Sequence, residues 1–296
     1  MDNTALIFHS TEVIFPRSSA PIDCEIICVK THDNTIDIVT DKTSFHPVSH
    51  IWPDHPADKG YVECNGQTAV VIDCLTGAIE LATGTLYVAQ DIPVKRDTEG
   101  WVFVVVHRIE DGLIDLQPRQ KLRLVVDETY QWQLSLAHSA EHLTSLALNK
   151  VLTEQGYWRK DADRKDSLNH YDFHSYAQES SSIEPLCARV GYRLGKTLRK
   201  RGFNSVDFLS QLTLIEQSVN HQLESWVELN HDIKLICSGT HLTDSRYWEC
   251  DLGSDGVATI PCGGTHARSL SDYSSIRVNI EHSGDQNIEI HTVVTE

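Results

Sequence analysis

From Tyr130 to Gln155 the chain runs without a glycine or proline, and it carries His138 and His142 four residues apart. This stretch constrains the fold more than any other. It is rich in helix formers, Gly156 stands after it as a C-cap, and Leu136, Ala140, Leu143 and Ala147 recur as an apolar stripe. A helix is expected here, with that stripe packed into a core. Residues four apart on a helix share one face, one turn apart, so both imidazoles can meet a single ion.

Upstream, the chain reads as β structure to about residue 126. Short apolar runs span Cys24 to Val29, Ile36 to Val39, Thr68 to Cys74, Leu86 to Ala89, Trp101 to Ile109 and Leu122 to Val126. Turn signals fall at Asp33-Asn34, Asn65-Gly66, Thr76-Gly77, Glu99-Gly100 and Asp111-Gly112. Short strands so closely spaced suggest a small barrel or sandwich. Downstream of the helix comes a polar stretch, Arg159 to Ser182, in which Glu179-Ser180-Ser181-Ser182 reads as a loop. Helical segments are expected over about 184–201 and 205–228, and the remainder returns to strand and turn. Strands, then helices, then strands argue for an α+β protein of two domains, 1–126 and 127–296.

The 296 residues include 25 basic and 42 acidic side chains, a formal charge of −17. Such a mean field repels phosphate, so an RNA partner has to be met by a local basic patch. Between Arg189 and Arg201 there is no acid, and Arg193, Lys196 and Lys200 are the candidate RNA contacts. On a helix they share a face with Arg189, which also suits an ordinary solvated helix face. No apolar run approaches the roughly 20 residues of a membrane span. Met1-Asp2-Asn3-Thr4 lacks the basic region that opens a signal peptide, so a cytosolic protein without a membrane partner is expected. In that compartment the eight cysteines are expected as thiols or metal ligands. Cys24 and Cys28 lie in a strand-like segment and read as buried small hydrophobes.

Of the 16 histidines, three pairs have four-residue spacing: His46/His50, His138/His142 and His170/His174. The first brackets Pro47 in a loop, and the third lies in a segment that reads as strand or turn. A second cluster is Cys262-Gly263-Gly264-Thr265-His266. Paired glycines let the backbone fold tightly, so a thiolate and an imidazole can aim at one centre. His138, His142, Cys262 and His266 then offer three nitrogens and a sulfur, a donor set that favours zinc.

The helix text Leu134-Ser-Leu-Ala-His138-Ser-Ala-Glu-His142-Leu resembles the metal-binding helix of the editing domain of alanyl-tRNA synthetase. The Cys262-Gly-Gly-Thr-His266 turn is similar to that domain's second metal motif. Freestanding alanyl-tRNA editing proteins carry the same domain behind a small β-barrel. Thr43-Ser-Phe45-His46-Pro47 with Pro56-Ala-Asp58-Lys-Gly60, the stretch Asp166 to Phe173, and Ile215-Glu216-Gln-Ser-Val-Asn220 resemble further parts of that family, in its order. The family's glycine-rich run is replaced by Val48 to His55, where Trp52 and His55 are bulky, and 184 to 205 looks like an insertion.

The resemblance implies a small N-terminal barrel followed by an editing-type domain with a zinc site. It also implies hydrolysis of serine or glycine wrongly esterified to tRNA-Ala. Zinc lowers the pKa of bound water to about 7 and polarises a carbonyl, which suits an ester. Four protein ligands, however, make a closed site, whereas catalysis wants an open position. Glu141 is a candidate catalytic residue, either as base or as a group behind the ligands. Thr43 corresponds to a family threonine placed to sense a small hydroxylated amino acid. Two other activities fit the same residues. One is a metal-dependent hydrolase of a non-tRNA acyl ester or thioester. The other is a zinc-stabilised binding module without turnover.

Overall fold

The computed structural model describes residues 8–284 and 286–296, so Met1 to Thr4 lie outside the described residues. It divides into two compact units: 1–131 with 237–245 and 263–265, and 132–236 with 246–262 and 266–296. α and β elements mix along the chain, strands first, then helices interrupted by a hairpin, then strands again.

The first unit holds β1 (Glu12–Val13), β2 (Ile22–Thr31), β3 (Thr35–Thr40), β4 (Lys42–Thr43) and β5 (Gly60–Cys64). It continues with β6 (Gln67–Val71), β7 (Asp73–Glu80), β8 (Thr85–Val88), β9 (Trp101–Glu110) and β10 (Lys121–Val126). Eight of these form one antiparallel sheet in the order β6-β5-β10-β2-β3-β9-β7-β8. The sheet curls, bringing β6 against β9 across four intervening strands. β1 pairs with β4 in parallel.

Residues on both faces of β9 are buried. Val105 and Ile109 join Val13, Ile26, Phe45 and Leu124, while Val104 and Val106 join Val39, Leu75 and Ile79. That is why the run Val102 to Val106 is continuously apolar and does not alternate.

One expectation changes here. Thr76-Gly77 is no turn but lies inside β7. Gly77 is required because a Cβ there would stand 2.7 Å from Val106 Cγ2. The Cys24 and Cys28 thiols do not share a face, because a bulge between Ile26 and Cys28 breaks the β2–β3 register. Cys24 packs with Ile26, and Cys28 packs with the Val39 group. Burial pushes the Cys24 thiol up to about 12, as expected of an inert core cysteine.

The second unit takes most of α1 (Glu128–Glu154), then α2 (Phe173–Ala177), β11 (Gln178–Glu184), β12 (Cys187–Arg193), α3 (Lys196–Lys200), α4 (Ser205–Ser210) and α5 (Leu212–Val227). It ends with β13 (Ile233–Cys237), β14 (Arg246–Asp251), β15 (Val257–Pro261), β16 (Ser275–His282) and β17 (Asn287–Thr295). The sheets run β11-β12-β17-β16 and β13-β14-β15. α1 is buried well beyond its expected stripe. Ala137, Leu146 and Leu148 are covered as fully as Leu136, Ala140, Leu143 and Ala147. One core joins α1 to Val219 and Leu223 of α5 and to Val190, Val278 and Ile290 of the sheet.

The expected helix over 184–201 is instead a hairpin followed by a short helix. Glu184 pairs with Cys187 across Pro185 and Leu186, and Ser180 to Ser182, expected as loop, lie in β11. Ala188, Val190 and Tyr192 point inward at period two, while Arg189 and Arg193 are exposed. That alternation outweighs the helical spacing of the basic residues, and only Lys196 to Lys200 form α3. The helix expected over 205–228 appears as α4 and α5, broken at Gln211.

Candidate metal centre

The helical geometry of α1 sets the His138 and His142 rings side by side, centroids 4.7 Å apart. The turn after β15 returns Cys262 and His266 to them. Cys262 N–H donates to the Arg246 carbonyl at 3.0 Å, fixing the start of that turn. Cys262 Sγ lies 3.4 Å from His138 Nε2, and the His266 ring stacks on His138 at 4.5 Å. One ligand atom from each of the four side chains lies within 4.8 Å of every other, a group that can hold a metal ion. Among the described residues this is the only such cluster of three or more His, Cys, Asp or Glu side chains. The buried His142 Nε2 makes no hydrogen bond of acceptable geometry, as befits a nitrogen placed for an ion.

The candidate ligand rings are held from behind. With His142 protonated at Nδ1, that nitrogen donates to Glu141 Oε2 at 3.2 Å, leaving Nε2 to face the centre. His266 Nδ1 lies 3.2 Å from Ser139 Oγ, which also accepts from Ala267 N–H at 3.0 Å. Ser139 is therefore the residue that ties α1 to the turn. Trp248 of β14 stands edge-on to His142 at 5.5 Å and is fully buried.

The local field favours charge at this centre. Burial lowers the basicity of His142, but with no ion bound the Cys262 sulfur and the Glu141 carboxylate outweigh it and push its pKa up to about 10, so an ion bound at Nε2 has to displace a proton from the ring. Burial raises the pKa of Glu141, yet His174 and His142 together hold it below the usual carboxylate range. His174 Nδ1 lies 3.7 Å from Glu141 Oε1 and 2.9 Å from the Tyr192 hydroxyl.

His174 belongs to the third histidine pair, which the sequence places in strand or turn. It sits in α2, capped by the Asp172 side chain, which accepts from Ser175 N–H. Its partner His170 turns instead toward Asp166, 3.8 Å away. Ser139 carried no sequence signal, and the pair spacing of His174 pointed to His170 and not to Glu141, because each acts through a contact made only in the folded chain.

Thr43 is fully buried in the first unit. Its Oγ1 lies 2.8 Å from His107 Nε2 and accepts from Phe45 N–H at 3.0 Å. Within the replaced loop, Ile51 and Trp52 are exposed and His55 is buried. The His55 Nε2 stands 3.5 Å from Oγ1 of Thr265, the residue before His266. Burial drops His55 to about 4, so the ring is neutral at pH 7.

The basic run is less bare in space than in sequence. Arg189 faces Glu184 at 4.0 Å, Arg193 faces Glu179 at 3.2 Å, and Arg201 faces Asp163 at 2.8 Å. Lys196 and Lys200 are exposed on α3.

Fold and site define a mixed α/β protein with a partly buried three-histidine, one-cysteine group able to hold a metal. No family model matches the chain. It is similar to alanine-tRNA ligases over much of its length. It is 22% identical over 282 residues to that of Methanothermobacter thermautotrophicus, covering 94% of this chain and 25% of the ligase. With that of Akkermansia muciniphila the identity is 23% over 285 residues, 90% of this chain and 24% of the ligase. With that of Orientia tsutsugamushi (strain Ikeda) it is 23% over 183 residues, 60% of this chain and 18% of the ligase. The chain thus spans about a fifth to a quarter of the length of these relatives.

Proposed function

We propose that the chain is a freestanding, zinc-dependent editing hydrolase, acting in the cytoplasm, that deacylates tRNA-Ala wrongly carrying serine or glycine. The observation that carries this reading is the convergence of His138, His142, Cys262 and His266 in a chain similar to alanine-tRNA ligases. The proposed organisation is a small barrel domain, 1–126, ahead of a hydrolase domain, 127–296. Zinc would be held by these four residues and, with one ligand yielding or the shell expanding to a fifth position, would supply Lewis acidity toward an ester carbonyl and toward water. The reaction consumes one water and releases the amino acid and the free tRNA hydroxyl.

The chain's own residues divide the remaining work. Glu141 holds His142 in the tautomer that presents Nε2, so its role is to position a ligand. Thr43, with its hydroxyl oriented by His107 and Phe45, is proposed to sense a small hydroxylated amino acid. Arg193, Lys196 and Lys200 are proposed to meet RNA. A hydrolase for this task is needed because a pocket built for alanine rejects glycine or serine only weakly.

The test is deacylation of Ser-tRNA-Ala by the wild-type protein and by His138→Ala and Cys262→Ala. Fast release by the wild type alone is expected, and equal rates for all three reject the reading. The charge of −17 favours a second reading, hydrolysis of an acyl ester or thioester not attached to RNA. Weak tRNA binding without salt dependence, together with turnover of a small ester, selects it.

A further inference from the structure

The acidic chain folds one strongly basic surface from two segments that are distant in sequence. Arg159, Lys160, Arg164 and Lys165 come from the first, and Lys196, Arg199, Lys200 and Arg201 from the second. All eight are exposed. The two segments carry only Asp161 and Asp163 as acids, and Asp207 adds a third by facing Arg159 at 3.4 Å.

The segments are locked together by backbone. Trp158 and Phe203 form a β-bridge, Arg159 N–H donates to the Gly202 carbonyl at 2.8 Å, and Asn204 N–H donates to the Tyr157 carbonyl at 2.8 Å. Gly202 has φ +104°, and a Cβ there would stand 2.8 Å from Lys160 Cβ, so only glycine allows this approach.

Beneath the charges lies an aromatic pack. Trp158 meets Tyr171 at 5.2 Å, Tyr176 at 5.8 Å and Phe203 at 5.2 Å. The guanidinium groups of Arg164 and Arg201 both lie over the Tyr176 ring, at 5.2 and 5.7 Å, and Lys165 lies over Tyr171 at 5.3 Å. The Tyr176 hydroxyl donates to Asp163 and accepts from Arg164 N–H, fixing ring and loop together. The cations are therefore arrayed on a preformed base.

We propose that this surface, formed by 159–165 and 196–201 together, is where the chain grips an RNA phosphate backbone. Protein partners are held mainly by aromatic and arginine anchors that cluster in a desolvated centre. Here Trp158 is buried and the tyrosines are capped by cations, leaving charge as the feature presented. Two rows of lysine and arginine suit a repeating polyanion, whose binding is driven by release of its counterions. Choosing tRNA as the probe rests on the proposed function; the surface itself does not.

The test is equilibrium binding of uncharged tRNA-Ala transcript between roughly 50 and 200 mM salt. It compares wild type with Lys160→Glu/Lys165→Glu, with Lys196→Glu/Lys200→Glu, and with a control at the exposed Lys121 and Arg277. Melting curves check folding, and Lys→Gln versions of each pair report the same trend with less charge change. Each patch pair is expected to weaken binding by about tenfold or more and to lower the salt slope by about two. The control is expected to stay near wild type. The proposal is overturned if the patch variants bind like wild type, if the control loses as much, or if wild type binds no tRNA. Binding is read apart from turnover. Patch-dependent binding without deacylation removes the editing function and keeps this surface; deacylation with unimpaired patch variants does the reverse.

Discussion

Glu141 Oε2 accepts from His142 Nδ1 at 3.2 Å, and both residues are buried. The pair orients the candidate ligand ring that α1 brings to the group able to hold a metal. Carboxylates behind a metal-bound histidine typically contribute roughly 10- to 100-fold in affinity. Glu141→Ala is expected to weaken zinc binding by about that factor, measured by competition with a chromophoric chelator. Glu141→Gln keeps an oxygen acceptor and should recover part of the loss. Unchanged affinity in both variants shows that the carboxylate does not orient the ring.

Metal removal should be felt in the second unit. The four candidate ligands join α1 to the turn after β15, so an ion bound there stabilises the folded state by mass action. At a free zinc concentration a thousand times Kd, the gain is about 4 kcal/mol. Chelator is expected to lower the melting temperature, and added zinc to restore it. Cys262→Ala should melt at the chelated temperature with or without zinc. A melting curve indifferent to chelator in the wild type would count against a metal at this centre.

The four ligand candidates were legible because each metal motif is local, a helical four-residue spacing or a glycine-rich turn. Helix α1 was legible for the same reason. The segment 184–201 was misread because Arg189, Arg193, Lys196 and Lys200 fit a helical face, while Val190 and Tyr192 fit a strand face equally well. Pairing of β12 with β11 and β17 decided between them, and no local signal reports that. Gly77 was misread because a glycine needed for close approach looks like a glycine needed for a turn. Ser139 had no signature, and the spacing that marked His174 named the wrong partner, since their importance lies in contacts spanning 127 and 33 positions.

Asp58 gives the first unit a pH dependence of unusual sign. Burial pushes its carboxyl up to about 7, helped by the charge of Asp127 and opposed by hydrogen bonds from His46 N–H and Gln131. Tyr130 and Cys74 also feel its charge. A folded pKa above the unfolded value means the native state holds the proton more tightly. That stability is complete below about pH 4 and is lost as pH rises toward 7. Asp58→Asn removes the titration. The difference in unfolding free energy between wild type and variant should therefore change between pH 4 and 7, by a few kcal/mol at most, at about 1.4 kcal/mol per tenfold change in proton affinity. Parallel pH curves for the two proteins sink the prediction.

Asp37 shows the opposite sign. It is fully buried on β3, with the Arg108 guanidinium on both oxygens at 2.6 and 2.9 Å and His32 Nε2 at 2.8 Å. The strand register puts Lys30, Asp37, Arg108 and Asp73 in one row across β2, β3, β9 and β7, with alternating charge. Burial would raise the Asp37 carboxyl, but hydrogen bonds from Arg108 and His32 hold it below the usual range. Its contribution is therefore present above the ordinary carboxylate pKa and is lost as pH falls through the depressed one. Arg108→Met strands a buried carboxylate and is expected to cost about 3–5 kcal/mol at pH 7. Adding Asp37→Leu to Arg108→Met removes the stranded charge and should recover most of that loss. Denaturant unfolding of the single and double variants measures both. A single variant as stable as wild type means the row is solvated and the pair contributes little.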